Sequence, residues 1–318
     1  MISEQLVQQN KLSIEGPFII GIDGGGTKCK AVLMDRNNQI LGVGVSGSGN
    51  PVYGVEQAQA SIVECASEAL NTARSRDHKL IDLALEDIIA GIGLAGVNIP
   101  LLCEEMTKWK SPFKSTFITT DLLIACLGAH SGKDGAVIVT GTGSCGYSYA
   151  NGKSKIVGAH GFPQGDKGSG AWFGLKAVEA TLLSLDKIGP ETAISQYVFK
   201  ILDVDDSQGI VEKVASKPSS LFASVARAVF SALKEDDAIA IAIVKEGSDY
   251  INHMAKLLNH PTSARISLLG GLSETITPYL DKNLQEKLTP ALSPPEVGAV
   301  IYARQKLASQ LRYEAANS

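Results

Sequence analysis

The strongest constraint on the fold is a block of three β-strands and one glycine-rich loop that occurs twice in the chain. The first copy begins with an apolar, β-prone segment at residues 18–23, passes through three successive glycines, and continues in strand-like segments at 28–35 and 40–45. The second copy has GAVIVT, GTGSCG, YSYA and KIVG in the same order. An internal repeat of this kind predicts two domains of the same architecture.

Helical segments and further short strands follow each block. Residues 55–76 carry apolar side chains at helical spacing, and residues 88–94 form a short apolar run that is typical of a buried strand. We therefore predict an α/β fold with a first domain at 17–121 and a second at 122–297. The last helix, at about 298–318, is expected to pack on the first domain, and the cleft between the domains is the expected site.

The composition limits the classes of partner. The chain has 318 residues, of which 44% are hydrophobic, and this is enough for two cores. A net charge of −4 without a run of Lys and Arg gives no reason to expect nucleic acid. The longest apolar stretch, at 239–244, is far shorter than the roughly 20 residues that cross a bilayer. Residues 1–16 are predicted to be a polar tail rather than a secretory signal.

The cysteines indicate a reducing environment. None of them forms a CxxC pair, which disfavours a zinc site, an iron–sulfur cluster and a secreted disulfide framework. We expect a cytoplasmic protein. The cysteines are Cys29, Cys65, Cys103, Cys126 and Cys145.

The first glycine loop is a candidate phosphate cradle. Glycines let backbone amides approach phosphate oxygens, a threonine hydroxyl can add a donor, and an aspartate can hold magnesium through water. Standing alone, the motif would be read as a tight β-hairpin without a ligand, but its duplicate favours the cradle. The residues are Asp23, Gly24, Gly25, Gly26, Thr27 and the adjacent Lys28.

Two familiar nucleotide motifs do not fit. A dinucleotide-binding loop opens a helix, whereas the strand-like KCKAVLMD follows the first glycine loop. The pair Gly132-Lys133 resembles part of a P-loop, but Asp134 stands where Ser or Thr is required. A Rossmann dehydrogenase and a P-loop ATPase are therefore disfavoured.

The second glycine loop follows the strand AVIV at the same place in its own block. Two such loops facing each other would grip a triphosphate from both sides. A further pair, Gly270-Gly271, follows the strand at 266–269, where the backbone could pass beneath a flat adenine. The second loop comprises Thr140, Gly141, Thr142, Gly143, Ser144, Cys145 and Gly146.

Two aspartates each have a structural and a functional interpretation. Asp121 ends a buried strand, where a carboxylate could take a hydroxyl proton, but it could equally cap the following helix. Asp166, in GDKGSG, could cap a helix or bind sugar hydroxyls, and the density of glycines favours binding. His130 and His160 lack partners at metal-binding spacing, so neither is assigned to a metal.

In combination, DGGGT, the strand end at Asp121, TGTGSCG and GDKGSG resemble the N-acetylglucosamine kinase family within the sugar kinase, actin and heat-shock ATPase superfamily. The similarity covers about residues 18–302, and TTDLLIACLGAH, GTGSCG and FPQGDKGSG are most similar to bacterial glucosamine kinases. The resemblance implies two duplicated ribonuclease-H-like domains, ATP and magnesium in the cleft, phosphorylation of the 6-hydroxyl of an amino sugar, and a homodimer.

The resemblance also implies residue roles. Asp121 would be the catalytic base and Asp23 would hold the metal. ATP would be bound by Asp23, Gly24, Gly25, Gly26, Thr27, Lys28, Thr140, Gly141, Thr142, Gly143, Gly270 and Gly271. The sugar would be bound by Asn50, Ser144, Cys145, His160, Gly161 and Asp166.

Two positions depart from the family pattern and bear on the substrate. Animal N-acetylglucosamine kinases carry Asn in place of Cys145 and Trp in place of His160. A thiol is only a weak donor and acceptor, so the loss of a carboxamide should weaken recognition of an acetamido group. Glucosamine is therefore the expected substrate and N-acetylglucosamine the alternative.

Two other classes of function are weighed. ATP-driven activators of acyl-CoA reductases or dehydratases share this fold and hold an iron–sulfur cluster with cysteines, for which no suitable spacing occurs here. Some kinase-like proteins sense sugar and regulate transcription, but the N-terminal tail, residues 1–16, is expected to be too short for a helix-turn-helix domain. Both are disfavoured relative to a kinase.

Overall fold

The computed structural model describes residues 17–258 and 265–317, so residues 1–16, predicted to be a polar tail, lie outside the description. The chain forms two compact units. The first falls within Met1–Lys133 and Leu292–Ser318, and the second is Asp134–Ala291. The predicted two-domain α/β fold is confirmed.

The first unit contains a five-stranded mixed sheet with the order β3-β2-β1-β4-β5. Short turns join the first three strands, which are antiparallel, while β4 and β5 run parallel to β1 after longer connections. The strands are β1 (Ile19–Gly24), β2 (Cys29–Met34), β3 (Ile40–Ser46), β4 (Ile89–Leu94) and β5 (Ser115–Thr120).

Three helices of the first unit lie between these strands or follow them: α1 (Val55–Arg76), α2 (Pro100–Lys108) and α3 (Asp121–Ala129). Helix α1 packs closely on β3 because Gly42 and Gly44 have no side chains, and a Cβ at Gly42 would overlap the carbonyl of Ala69. The core beneath α1 contains fully buried Ile20 and Ile62.

The second unit repeats this strand arrangement. Strands β6 (Gly135–Thr140), β7 (Ser144–Ala150), β8 (Lys153–Gly158) and β9 (Arg265–Leu269) form a four-stranded sheet with the order β8-β7-β6-β9. The first three are again antiparallel, β9 is parallel to β6, and a parallel bridge joins Ile266 to Leu288. The predicted internal repeat is therefore confirmed.

Helices make up most of the rest of the second unit. Its core contains Ile138 from the sheet and Trp172, Phe173 and Met254 from helices. The helices are α4 (Gly170–Leu185), α5 (Ile194–Leu202), α6 (Ser207–Val214), α7 (Ser219–Val225), α8 (Arg227–Leu233), α9 (Ala238–Leu258), α10 (Ser273–Ile276) and α11 (Lys282–Lys287).

The chain then returns to the first unit as α12 (Pro295–Asn317). Val300 and Ala303 of this helix pack on Ile19, Val32 and Ile89, on the face of the sheet opposite α1. The predicted boundary between 121 and 122 differs from the observed division after Lys133, because α3 packs against α12 and so stays with the first unit. Across the described residues, no helix has both the length and the apolar character needed to span a membrane.

Candidate active site

The first glycine loop joins β1 to β2 and presents free backbone amides. Gly24 lies close to its neighbours, because a Cβ there would overlap a terminal methyl group of Leu94. Gly25 donates to the carbonyl of Lys28 at 3.0 Å and closes the turn. Within the described part of the chain, the amides of Gly26, Thr27 and Lys28 donate no hydrogen bond. These exposed residues form a short row of donors, which is the geometry that binds phosphate oxygens.

Asp23 lies at the end of β1, immediately before this loop. Burial, together with the negative charges of Asp121 and Glu296, raises the pKa of its carboxyl group to about 7, although the positive charges of Lys30 and Lys28 oppose this rise. A buried carboxylate beside other carboxylates would gain from a cation. This environment fits the predicted metal ligand.

Asp121 is the first residue of α3, directly after β5. The helix cap is Thr120, whose hydroxyl accepts from the amide of Leu123 at 3.3 Å. The capping interpretation of Asp121 is therefore corrected, since its carboxylate instead accepts from the adjacent amide of Leu122 at 2.8 Å. Burial raises the pKa of Asp121, and hydrogen bonds from backbone amides oppose that change.

The sheet topology brings Asp23 and Asp121 together. Strands β1, β4 and β5 are parallel, and Gly24, Leu94 and Thr120 are in register at their carboxyl ends. Two strand spacings separate the backbones, about 10 Å, so both side chains lie at one edge of the first unit. Their proximity explains why the charge of Asp121 raises the pKa of Asp23.

Glu296 is a site residue that sequence reasoning missed. It lies in the first turn of α12. This turn can approach β1 closely because Gly21 has no side chain; a Cβ there would overlap the Glu296 carbonyl. Its Oε2 atom is buried without a hydrogen-bond partner among the described residues. No local sequence pattern links Glu296 to Asp23; only the helix returning from the far end of the chain places them together.

Asn50 lies beside the first glycine loop. Its Oδ1 accepts from the amide of Val52 at 3.0 Å and caps the short 3-10 helix Pro51–Tyr53. Gly96 has a positive φ of 86°, and a Cβ there would lie 2.5 Å from that same oxygen. The Nδ2 group of Asn50 lies 4.0 Å from the position of a Cβ on Gly26, so it can donate to a ligand near this loop.

The second glycine loop is anchored on its carbonyl side. The carbonyls of Gly141 and Thr142 accept from the amides of Gly170 and Ala171 at 2.7 and 3.1 Å, at the start of α4. The amides of Thr142 and Gly143 donate to nothing in the described ranges. The loop therefore offers a shorter row of free donors than the first one.

Thr140 does not offer its side chain to a ligand. The residue is fully buried, and its hydroxyl donates to the carbonyl of Gly168 at 2.9 Å. Its hydroxyl therefore fixes the loop, and the predicted role of Thr140 in holding phosphate is left to its backbone. Thr142, by contrast, is exposed.

Asp166 lies directly behind the second loop. Its carboxylate accepts from the backbone amides of Ser144 and Gly161, and these bonds and the charge of His160 oppose the rise in its pKa that burial causes. A Cβ at Gly143 would lie 2.7 Å from Asp166 Oδ2. The structure thus brings the predicted sugar residues Ser144, His160, Gly161 and Asp166 together.

Two details of this group differ from the prediction. The cap of α4 is Ser169, whose hydroxyl accepts from the amide of Trp172 at 3.2 Å, so Asp166 is not a helix cap. Ser144 is buried, and its hydroxyl donates to the carbonyl of Lys167 at 2.8 Å. That hydroxyl is therefore used to hold the loop.

Cys145 lies in β7 opposite Gly158 of β8 and is half-buried. Tyr250 of α9 is a second residue that sequence reasoning missed. Its hydroxyl lies 3.3 Å from the position of a Cβ on Gly158. Nothing in the sequence around Tyr250 marks it, because a helix far along the chain carries it to this strand end.

Gly270 and Gly271 lie beside the second loop. Gly270 has a φ of 102°, and a Cβ there would overlap the carbonyl of Thr140. The same carbonyl accepts from Leu272 at 3.0 Å. A Cβ at Gly271 would meet nothing within 4 Å. The backbone here is open on one side, as the predicted adenosine contact requires.

Comparison with known proteins now identifies the family. A model of the BadF/BadG/BcrA/BcrD ATPase family matches residues 20–303, which include both glycine loops. The chain belongs to this ATPase family.

The relatives of this ATPase include amino sugar kinases. The chain is 31% identical over 286 residues to the glucosamine kinase GspK of Vibrio cholerae serotype O1, covering 90% of this chain and 95% of that protein. It is 26% identical to the N-acetylmuramic acid/N-acetylglucosamine kinase of Clostridium acetobutylicum, covering 73% of this chain and 76% of that protein. The predicted resemblance to sugar kinases is confirmed.

A solved structure shows the same fold. The chain superposes on a presumed N-acetylglucosamine kinase from Chromobacterium violaceum with a TM-score of 0.83 and 25% identity, covering 90% of this chain and 99% of that one. The sheets and loops described above therefore belong to a fold already seen in a protein of this type.

Proposed function

We propose that this ATPase transfers the γ-phosphoryl group of ATP to the 6-hydroxyl of an amino sugar, and that its preferred substrate is glucosamine. The observation that carries the proposal is the 31% identity to a glucosamine kinase over 90% of the chain. The two amide-lined loops and the paired carboxylates supply the groups that such a reaction needs.

Most of the catalysis in phosphoryl transfer is positioning and electrostatic stabilisation. The amides of Gly26, Thr27 and Lys28, and those of Thr142 and Gly143, would donate to phosphate oxygens. Asp121 would accept the proton of the 6-hydroxyl as this oxygen attacks phosphorus. Its raised pKa suits a group that must take a proton near neutral pH.

Magnesium fits the carboxylates of the first unit. No three His, Cys, Asp or Glu side chains among the described residues are grouped as a closed metal cage, but magnesium in kinases keeps several waters and needs only one or two carboxylates plus phosphates. Asp23 would hold it, with Glu296 nearby. When bound, the ion would offset negative charge on the phosphates.

The proposed preference for glucosamine rests on the predicted sugar-binding residues of the second unit. Asp166 and Gly161 would contact the sugar as in the family, whereas Cys145 and His160 replace groups that recognise the acetamido substituent in animal enzymes. A thiol cannot replace both the donor and the acceptor of a carboxamide. We also propose a cytoplasmic enzyme, consistent with five cysteines that form no disulfide bond, and a homodimer by analogy with the family.

The test follows ADP release by the purified protein with magnesium and ATP, using glucosamine, N-acetylglucosamine, N-acetylmuramic acid, glucose and a control without sugar. Glucosamine should give the highest kcat/KM, and Cys145→Asn should shift the preference towards N-acetylglucosamine. A wild-type preference for N-acetylglucosamine would overturn the substrate but keep the kinase. ATP hydrolysis that no sugar stimulates would favour an activator ATPase.

A further inference from the structure

The second glycine loop is held from behind by the segment 166–171. Two loop hydroxyls, on Thr140 and Ser144, donate to carbonyls of that segment at 2.9 and 2.8 Å. Two amides of the segment donate back to the carbonyls of Gly141 and Thr142. The loop and this segment therefore form one hydrogen-bonded assembly, with the free amides of the loop on the other side.

Asp166 makes the charged contact in this assembly. Its carboxylate accepts from the amide of Ser144 in the loop and from the amide of Gly161. It also occupies the space beside Gly143, where a Cβ would lie 2.7 Å from Oδ2. A carboxylate has about four acceptor positions, so two amide bonds leave capacity for sugar hydroxyls on the same group.

We propose that Asp166 is a positioning residue for the second glycine loop, so that one carboxylate holds the phosphate-binding amides in place and receives the sugar. This inference rests on the proposed function and assigns Asp166 a part in nucleotide binding as well as in sugar binding. If Asp166 only contacted sugar, its substitution would not change nucleotide affinity in the absence of sugar.

The substitution that tests this is Asp166→Asn. The backbone at Asp166 has a φ of 58°, a region where Asn and Asp are enriched among residues other than glycine, so the change keeps the local conformation. Asn has one acceptor oxygen and no charge, and it should not keep both amide bonds at full strength. We expect the dissociation constant of the ATP analogue AMP-PNP, measured by calorimetry without sugar, to rise about tenfold, the change that losing a charge-assisted hydrogen bond produces.

Gln164→Ala is the matched control. Gln164 lies two residues before Asp166 and is exposed, and within the described residues its side chain donates to the carbonyl of His160 at 3.4 Å and to no atom of the second glycine loop. This variant should leave the affinity for AMP-PNP within about twofold of wild type.

Gly143→Ala gives an independent test, because its Cβ would displace the Asp166 carboxylate. Its effect on AMP-PNP affinity should be strongly non-additive with that of Asp166→Ala, which removes the clash. Unchanged AMP-PNP affinity in a folded Asp166→Asn protein, or additive effects in this pair, would overturn the inference. Wild-type protein that fails to bind AMP-PNP would instead overturn the proposed function.

Discussion

Asp121 directly follows a strand, begins a helix and lies near Asp23. Because Thr120 caps the helix, the Asp121 carboxylate is not needed to begin it. We predict that Asp121→Asn keeps sugar and nucleotide binding but lowers kcat by about 10²-fold or more, the usual contribution of a positioned general base. Steady-state kinetics with the preferred sugar will measure this.

Thr120→Ala is the control for that change. Loss of the cap should lower the free energy of unfolding by about 1 kcal/mol while kcat stays close to that of wild type. Turnover near normal in Asp121→Asn would show that another group takes the proton.

The raised pKa of Asp23 predicts how the free energy of unfolding depends on pH. Burial and neighbouring charge raise its pKa from 3.8 to about 7 in the folded protein, so between these values the folded state binds more protons than the unfolded state. The contribution of the protonated Asp23 carboxyl group to the stability of the folded protein is therefore fully present below pH 3.8, and it is lost as pH rises through 7. Asp23→Asn should be more stable than wild type at pH 8, by a few kcal/mol in order of magnitude, with a difference that shrinks towards pH 5.

Urea unfolding in EDTA at several pH values will measure this difference for Asp23→Asn. A difference that is constant from pH 5 to 8 would contradict the account of the Asp23 environment.

At the scale of residues, the sequence predicts which segments carry the candidate site residues, but not which side chain in each segment caps a helix and which one is available to a ligand. Thr120 and Asp121 are both good helix caps, as are Ser169 and Asp166, and only the structure shows that the hydroxyl caps in each case. Likewise, Thr140 lies in a predicted phosphate loop, yet its hydroxyl points into the fold. Composition and spacing do not specify such choices, because each depends on rotamers and on the partner segment.

At the scale of elements, the first unit depends on glycines that let helices approach closely. A Cβ at Gly298 of α12 would overlap the carbonyl of Ile124 in α3. Gly298→Ala must therefore separate the two helices or distort one of them. We predict a loss of at least about 3 kcal/mol in the free energy of unfolding, at the upper end for overpacked sites, measured by urea unfolding.

Gly47→Ala is the matched control in the same unit. Its Cβ would meet only the hydroxyl of Ser61, at 3.5 Å, and its φ is not in the left-handed region. This variant should unfold within about 1 kcal/mol of wild type. Equal stability of Gly298→Ala and Gly47→Ala would mean that α3 and α12 can move apart freely.

Strand β3 shows how one element protects another. It is an edge strand of the first sheet, and exposed edges invite pairing with other chains. Side chains of α1 cover its polar groups: Glu68 accepts from the amide of Val45 at 2.5 Å, and Thr72 donates to the carbonyl of Val43 at 3.1 Å. Their spacing of one helical turn follows from the period of α1, which the sequence shows, but the strand that they meet is not visible there.

On the scale of the whole molecule, the duplication was predictable because both copies keep the same order of strands and loops. The boundary between the domains was not predictable, because it depends on the packing of α3 against α12. Helix α12 also contributes Val300 and Ala303 to a core with β1, β2 and β4. No local sequence pattern shows that two helices so far apart in the chain are in contact.

This connectivity makes the two units unequal when they are separated. The second unit is a continuous segment with its own core, so residues 134–291 expressed alone should unfold cooperatively. Residues 1–133 expressed alone lack α12, which leaves Ile19, Val32 and Ile89 uncovered, and exposed apolar area of this kind costs about 25 cal/mol per Å². We predict that residues 134–291 fold alone and that residues 1–133 do not, as measured by circular dichroism and urea unfolding.

Covalent rejoining separates the missing helix from other causes. Joining residues 292–318 to residues 1–133 through a flexible glycine and serine linker should restore a cooperative transition. The same fusion with Val300→Asp and Ala303→Asp should not, because it places charges against the apolar face of the sheet. Cooperative folding of residues 1–133 without α12 would show that the first unit is stable without its returning helix, and that this helix serves chiefly to place Glu296 beside Asp23.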